Sequence, residues 1–454
     1  MTQSAPDPKV QAALQQIETA AADKKLSSGA VDNLRVWLTE ARYQDYVAPI
    51  LEHVDQQKWA ALDDAFWTVI PFGTGGRRGR MYPFGSNTIN DRTIGESAQG
   101  LADYVKETVA PGKPLACALA YDTRHNSPHF ARLCAEVMVA AGFTVYFLDD
   151  YRSTPELSFL VRAKNCDCGI MVTASHNPPS DNAVKAYWST GGQILPPHDK
   201  RVIERVMNVQ AIKRANFDEA LAAGKVVLCR DEIDQAFIAA LEQQAFPGPR
   251  DLKVIYTPLH GVGASAVLPA LKSDGFEQVE VYGPHAEPNG DFPNVPQHVS
   301  NPENTAVFDA IIDYAKTCGA ELILASDPDC DRLGVAAPVT KDTTKEWRTF
   351  SGNQIGVLLA DYLLEQRKAK GTLSPEHYVV KTLVTTDMIR RIADSYGVRT
   401  CGDLQVGFKW IAGVMDEQGP DKFVFGTEES HGYLVGQYAR DKDGAVASML
   451  MAEL

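Results

Sequence analysis

Apolar positions recur at helical spacing from residue 7 to about residue 65. VQAALQQIETAAADKK predicts one helix, which Ser28-Gly29 ends. NLRVWLTEARYQDYVAPILEHV continues in the same mode, with an interruption near Pro49. This stretch carries no recognisable chemistry and reads as an N-terminal helical extension. From Phe66 the pattern changes to short apolar runs alternating with amphipathic ones. Strands are expected at 113–121, 143–148 and 169–174, with a helix at 128–141 between the first two. The order returns with strands at 252–256, 278–282 and 321–325 and helices at 263–271 and 305–317. It returns again with helices at 353–366, 386–395 and 407–415 and strands at 378–384 and 423–425.

Strands alternating with helices predict βαβ units and mainly parallel, mixed sheets. The fold class is therefore α/β, with three related α/β domains behind the helical extension. The expected division is 1–65 for the extension, then 66–228, 229–346 and 347–454. Joins are placed near 210–232 and 340–352, the second on the polar tract TKDTTKEW. Each unit closes on a strand that runs into a polar loop: Ser175 in the first, Asp327 in the second, Glu428 in the third.

Length agrees, since 454 residues correspond to roughly three domains. Lys plus Arg is 44 against 58 Asp plus Glu, a net charge of -14. That removes nucleic acid as a main partner, because no cationic excess exists to neutralise a phosphate backbone. A local basic pocket can still hold a small phosphorylated substrate. The eight cysteines include no CxxC pair and read as free thiols rather than a zinc site. MTQSAPDPKV lacks a basic start and an apolar core, and no run is long enough to span a membrane. A cytoplasmic protein is the default expectation. Oligomeric state is not legible.

The most specific chemistry lies in ELILASDPDCDRLG. Asp327, Asp329 and Asp331 alternate, so in extended chain their carboxylates point the same way. Their repulsion requires a bound cation or a neighbouring arginine. Oxygen-only ligands favour a hard ion such as Mg²⁺. An EF-hand is disfavoured, because its sixth and twelfth positions hold Arg332 and Pro338 instead of Gly and Glu. Beside such a site Ser175, with Lys185 ten residues on, can carry a phosphoryl group. The rival is a hydrolase serine with His176 as base, but adjacent residues on an extended turn project apart and no GxSxG elbow is present.

Other loops could bind anions or sugar. PFGTGGRRGR mixes close-approach glycines with Arg77, Arg78 and Arg80. AYDTRHNSP puts Asp122 and Arg124 at a strand end. Arg124 is placed with the substrate contacts, with a structural ion pair as its other reading. FGTEESHGY offers Glu428, Glu429, Ser430 and His431, a set suited to sugar hydroxyls or to a solvated turn.

In order, FGTGGRRG, TASHNP, DPDCDR and GTEES resemble the α-D-phosphohexomutase superfamily, and within it the phosphoglucomutase and phosphopentomutase branch. YDTRHNS, YTPLHGVG, VGFKWI and ARDKDG add to the resemblance, which runs from about Phe72 to Gly444. It implies an intramolecular phosphotransferase: a reversible exchange between glucose 1-phosphate and glucose 6-phosphate, or between ribose 1-phosphate and ribose 5-phosphate. Ser175 would be the phosphoserine and a sugar bisphosphate the intermediate and primer. Mg²⁺ would be held by Asp327, Asp329, Asp331 and a phosphate oxygen on Ser175. Arg78, Lys185, Arg332 and Lys442 match the family's basic positions, and Glu428 and Ser430 its sugar contacts. His176 and Lys442 are both candidates for the base.

The resemblance has departures. The third loop reads Ser430-His431-Gly432 where some branches have Ser-Gly-His, so His431 is not carried over as a ligand. The family's fourth domain, which grips the non-transferring phosphate, does not follow Leu454. The chain stops inside the helical pattern AVASMLMAEL, and a truncated sequence is the expectation. A sugar-bisphosphate synthase, or a non-catalytic sugar-phosphate-binding protein, remain the alternatives.

Overall fold

The computed structural model of the chain describes residues 7–73 and 75–454. The first six residues of the expected extension and Thr74 of the glycine-rich loop lie outside the described residues. Among the described residues, four helices, Pro8–Ala22, Ser28–Thr39, Gln44–Asp55 and Trp59–Phe66, form the N-terminal unit. Ile17, Leu34, Trp37, Ile50 and Phe66 fill its core, and Phe84 of the next unit joins them. Two boundary expectations are corrected. Ser28-Gly29 begins a helix instead of ending one: Ser27 caps it, its Oγ accepting from the Ala30 N–H at 3.3 Å. Pro49 lies inside Gln44–Asp55, and the break falls earlier, at the 3₁₀ turn Ala41–Tyr43.

Among the described residues, fifteen strands form three mixed sheets. The first holds β1 (Arg77–Arg80), β2 (Leu115–Tyr121), β3 (Phe143–Phe147), β4 (Cys168–Val172), β5 (Asp181–Trp188) and β6 (Val226–Leu228), in the order β1-β5-β4-β2-β3-β6. The second holds β7 (Val254–Thr257), β8 (Val279–Val281), β9 (Leu322–Ser326), β10 (Leu333–Pro338) and β11 (Trp347–Thr349), in the order β11-β10-β9-β7-β8. The third holds β12 (Tyr378–Thr382), β13 (Arg399–Leu404), β14 (Phe423–Glu428) and β15 (Gly432–Val435), in the order β13-β12-β14-β15.

The repeat expected from element order is visible in the pairing. In each sheet a buried strand with a parallel neighbour (β4, β9, β14) turns back into an antiparallel partner (β5, β10, β15). The three functional loops are therefore three hairpin turns at equivalent places. The returning strands escaped the sequence reading. The joins are located by the sheets. The expected stretch 210–232 contains β6, which pairs with β3, so the first sheet runs to Leu228, where the first expected division ends. TKDTTKEW connects β10 to β11 of one sheet, so that sheet continues to Thr349 and the third unit opens on the Ser351-capped helix Gly352–Ala369. Among the described residues no helix is long and apolar enough to cross a membrane.

β1 brings the glycine-rich loop against β5, and Gly76 makes this possible. Its φ is +126°, and a Cβ there would lie 1.9 Å from the Val184 carbonyl oxygen. Gly76→Ala is expected to lower stability by about 3 kcal/mol, through backbone strain and overpacking together. Denaturant unfolding followed by circular dichroism reads this.

Candidate active site

β4 is apolar and fully buried, and the chain beyond it reverses at Ser175, whose φ is +51°. The Ser175 N–H donates to Thr173 Oγ1 at 2.8 Å. Its hydroxyl donates to Asp327 Oδ2 at 2.9 Å and lies 3.1 Å from His176 Nδ1. The expectation that Ser175 and His176 project apart is thus corrected: left-handed backbone folds the pair together where an extended turn would splay it. Burial pushes His176 down to about 3, with Arg332 and Arg78 adding to it, so the imidazole is neutral.

The acidic triplet converges, but not by strand alternation. β9 ends at Ser326, the Cys330 N–H donates to the Asp327 carbonyl at 2.9 Å, and Cys330 has a φ of +54°. A tight turn, not extended chain, aims the carboxylates. One oxygen from each of Asp327, Asp329 and Asp331 lies within 4.8 Å of the others. Asp327 Oδ1 accepts from the Asp331 and Arg332 N–H groups at 3.0 and 3.1 Å. Asp329 Oδ2 accepts from Thr154 Oγ1 at 2.6 Å and Lys185 Nζ at 2.7 Å. Lys442 Nζ sits 3.0 Å from Asp331 Oδ2.

Two oxygens, Asp329 Oδ1 and Asp331 Oδ1, are buried without a hydrogen-bond partner. Buried carboxylate oxygens are costly when left unpaired. A hard divalent cation satisfies them, so the residues present fit a metal of that class. Burial, with repulsion from Asp331 and Asp329, pushes Asp327 well above the usual carboxylate range. Burial acts on Asp329 too, but Lys185 and its hydrogen bond hold that group below its ordinary value. The neighbours are thus biased in opposite directions.

The basic residues separate into two sets. Arg78, Lys185, Arg332 and Lys442 line a cavity of ≈ 230 Å³ together with Ser175 and Asp331. Arg78 Nη1 donates to Asn177 Oδ1 at 3.1 Å, and Arg332 pairs with Glu303. The other arginines of the glycine-rich loop turn elsewhere: Arg77 inward to Glu96 at 3.0 Å, Arg80 outward to Asp64. Arg124 is corrected. It is 1% exposed, and its N–H groups are spent on the carbonyls of Ser175, Asn177, Pro178 and Asp181. None is left for a substrate.

From the third unit, Glu428 ends β14 only 3.9 Å from Lys442 Nζ, and burial pushes it up to about 7 against the opposing pull of Lys442 and Arg332. Gly432 leaves room for this contact: a Cβ there would lie 2.5 Å from Lys442 Cδ and 2.7 Å from Glu428 Oε1. Glu429 points away and accepts from Thr382 Oγ1 at 2.8 Å. Ser430 is half-buried in the turn between β14 and β15. His431 Nδ1 is held at 2.9 Å from the Leu333 carbonyl, so this ring is a structural tie. Sequence reasoning missed Thr154, Gln193 and Asp441. Gln193 lines the cavity, and its Nε2 donates to Asp441 Oδ2 at 3.1 Å. Only Ser153-Thr154-Pro155-Glu156 left a trace, as a helix-start pattern.

The comparisons with known proteins agree with this arrangement. Models of phosphoglucomutase/phosphomannomutase α/β/α domains I, II and III match residues 70–213, 235–340 and 351–454. A phosphoglucomutase of Staphylococcus epidermidis is 32% identical over 388 residues, covering 85% of this chain and 68% of the relative. A human phosphopentomutase is 33% identical over 412 residues, covering 87% and 66%. The fold is shared with a phosphoglucomutase/phosphomannomutase family protein from Burkholderia thailandensis, with a TM-score of 0.66 at 20% identity, over 84% of this chain and 77% of that one. With the three domains matched in order around one serine and one acidic triplet, the chain belongs to the phosphoglucomutase/phosphomannomutase family of the α-D-phosphohexomutase superfamily, a family of intramolecular phosphotransferases.

Proposed function

We propose that the chain is a phosphosugar mutase that exchanges phosphate between the 1-position and the 6-position of a hexose, or the 5-position of a pentose. The observation that carries this is the Ser175 hydroxyl, 2.9 Å from Asp327 in a cleft lined by Arg78, Lys185, Arg332 and Lys442. Ser175 Oγ carries the phosphoryl group. A sugar monophosphate offers its free hydroxyl: the new P–O bond forms to the sugar as the Ser175 Oγ–P bond breaks, the hydroxyl proton leaves to a base, and the departing Ser175 Oγ takes up a proton. The resulting bisphosphate turns over, and Ser175 Oγ attacks the other phosphate. The serine proton then has an acceptor in reach, His176 Nδ1 at 3.1 Å.

Such transfers depend on alignment and charge neutralisation. Arg78, Arg332 and Lys442 are suited to the phosphate oxygens, Glu428 and Ser430 to sugar hydroxyls. Lys185 and Lys442, kept as ammonium groups by Asp329 and Asp331, are suited to give a proton to the departing oxygen. Asp327, Asp329 and Asp331 would hold Mg²⁺, which supplies charge neutralisation for the phosphoryl group.

The test supplies the protein with Mg²⁺ and glucose 1,6-bisphosphate as primer, then glucose 1-phosphate or ribose 1-phosphate, followed by ³¹P NMR. Conversion of at least one to its isomer is expected, and the ratio of the two rates assigns the sugar. No conversion of either would overturn the reading.

A further inference from the structure

The turn that carries Ser175 is built around one buried cation. Arg124 Nε donates to the Ser175 carbonyl at 3.2 Å. Its Nη1 donates to the carbonyls of Pro178 at 2.8 Å and Asp181 at 3.2 Å. Its Nη2 donates to the carbonyls of Ser175 and Asn177. A guanidinium has five N–H donors, and all are engaged by a single turn. The side chain is shut away from the cleft, with Phe292 of the second unit beneath the guanidinium at 5.2 Å.

A second arm reaches the same residue from below. Asp122 Oδ1 accepts from the Arg124 N–H at 3.0 Å and from Ser127 Oγ at 2.8 Å. Asp122 Oδ2 accepts from Thr173 Oγ1 at 2.6 Å. Because that bond uses the only proton of the Thr173 hydroxyl, its lone pair is left to accept the Ser175 N–H at 2.8 Å. Asp122, Arg124 and Thr173 thus hold both the N–H and the C=O of Ser175.

We propose that Arg124, Asp122 and Thr173 are a positioning unit that fixes Ser175 for phosphoryl transfer and takes no part in binding sugar phosphate. The proposal rests on Ser175 being the phosphate carrier. A serine at φ +51° sits in a sparsely populated region and persists only where its surroundings impose it. The clamp supplies that constraint on both faces of the peptide. Releasing it lets the turn relax toward ordinary backbone, which moves Oγ away from Asp327 and out of line with an incoming hydroxyl. In-line transfer is steep in such displacements: a shift of about 1 Å costs on the order of 100-fold in rate. Substrate affinity lies with other groups, Arg78, Arg332 and Lys442, and is untouched.

The experiment compares wild type with Thr173→Val, Thr173→Ser and Arg124→Lys. Phosphate incorporation at Ser175 from glucose 1,6-bisphosphate is followed by intact-protein and peptide mass spectrometry, with kcat and KM for the sugar monophosphate alongside. Incorporation at Ser175 in wild type establishes the carrier; its absence overturns the carrier and this proposal together. Given the carrier, Thr173→Val is expected to slow incorporation and kcat by ~100-fold, with KM within about twofold. Thr173→Ser, which keeps the hydroxyl, is expected to return both to within about threefold of wild type. Arg124→Lys keeps the charge but not the fork, and is expected to lower kcat at unchanged KM. The proposal fails, with the carrier intact, if Thr173→Val incorporates at the wild-type rate or if Thr173→Ser is as slow as Thr173→Val. It fails equally if Arg124→Lys raises KM at unchanged kcat, which would return Arg124 to the substrate contacts.

Discussion

Ser175→Ala is expected to take up no phosphate from glucose 1,6-bisphosphate and to lose at least ~10⁴-fold in turnover, because deleting a nucleophile removes the covalent route itself. The fold should survive. Ser175 is 3% exposed, and its side chain makes two polar contacts, with Asp327 and with the neutral His176. Alanine removes one oxygen and leaves the backbone clamp in place. Thermal unfolding should therefore stay close to wild type while activity disappears, which separates a lost nucleophile from a lost structure. Peptide mass spectrometry checks the site. Covalent phosphate found on another residue, or a variant that still turns over, would remove Ser175 from its assigned role.

Adding Mg²⁺ to metal-free protein is expected to raise its thermal midpoint, and chelation is expected to abolish turnover. Three buried carboxylates share a space 4.8 Å across, and Lys185 and Lys442 offset only part of their repulsion. Asp329 Oδ1 and Asp331 Oδ1 accept no hydrogen bond. A ligand present at a hundredfold excess over its dissociation constant stabilises the folded state by about 2.7 kcal/mol, and the triplet concentrates that gain in one place. The double variant Asp329→Asn, Asp331→Asn should lose the Mg²⁺-dependent shift altogether. Equal midpoints for wild type with and without Mg²⁺ would discount the triplet as a metal site.

The parts of the molecule legible in sequence share a physical trait. β4 and β9 are unbroken apolar runs because they are covered on both faces, and such runs stand out against polar loops. Their returning partners do not. β5 reads Asp-Asn-Ala-Val-Lys-Ala-Tyr-Trp because Lys185 must reach Asp329 from within a buried strand, which spoils any simple alternation. Residue identity at the metal loop was legible, but its shape was not: nothing in Asp-Pro-Asp-Cys-Asp announces a left-handed Cys330. Arg124 misled for a related reason. An arginine at a strand end looks like a ligand until a turn 51 residues away is seen to wrap around it. Thr154 and Asp441 make their contacts across unit boundaries, and no local pattern encodes such contacts.

The three α/β units are also tied to one another around these turns. Thr154 N–H donates to the Asp329 carbonyl, Leu333 N–H to the His431 carbonyl, Gly444 N–H to the Cys330 carbonyl, and Tyr187 Oη to Asp441. Every pair of α/β units shares at least one such bond. A hinge motion that swings one unit aside must break these bonds first, at the place where the charges are most crowded. The charged cleft is thus also the latch of the molecule, and whatever loosens the charges there loosens the mechanical coupling of all three units.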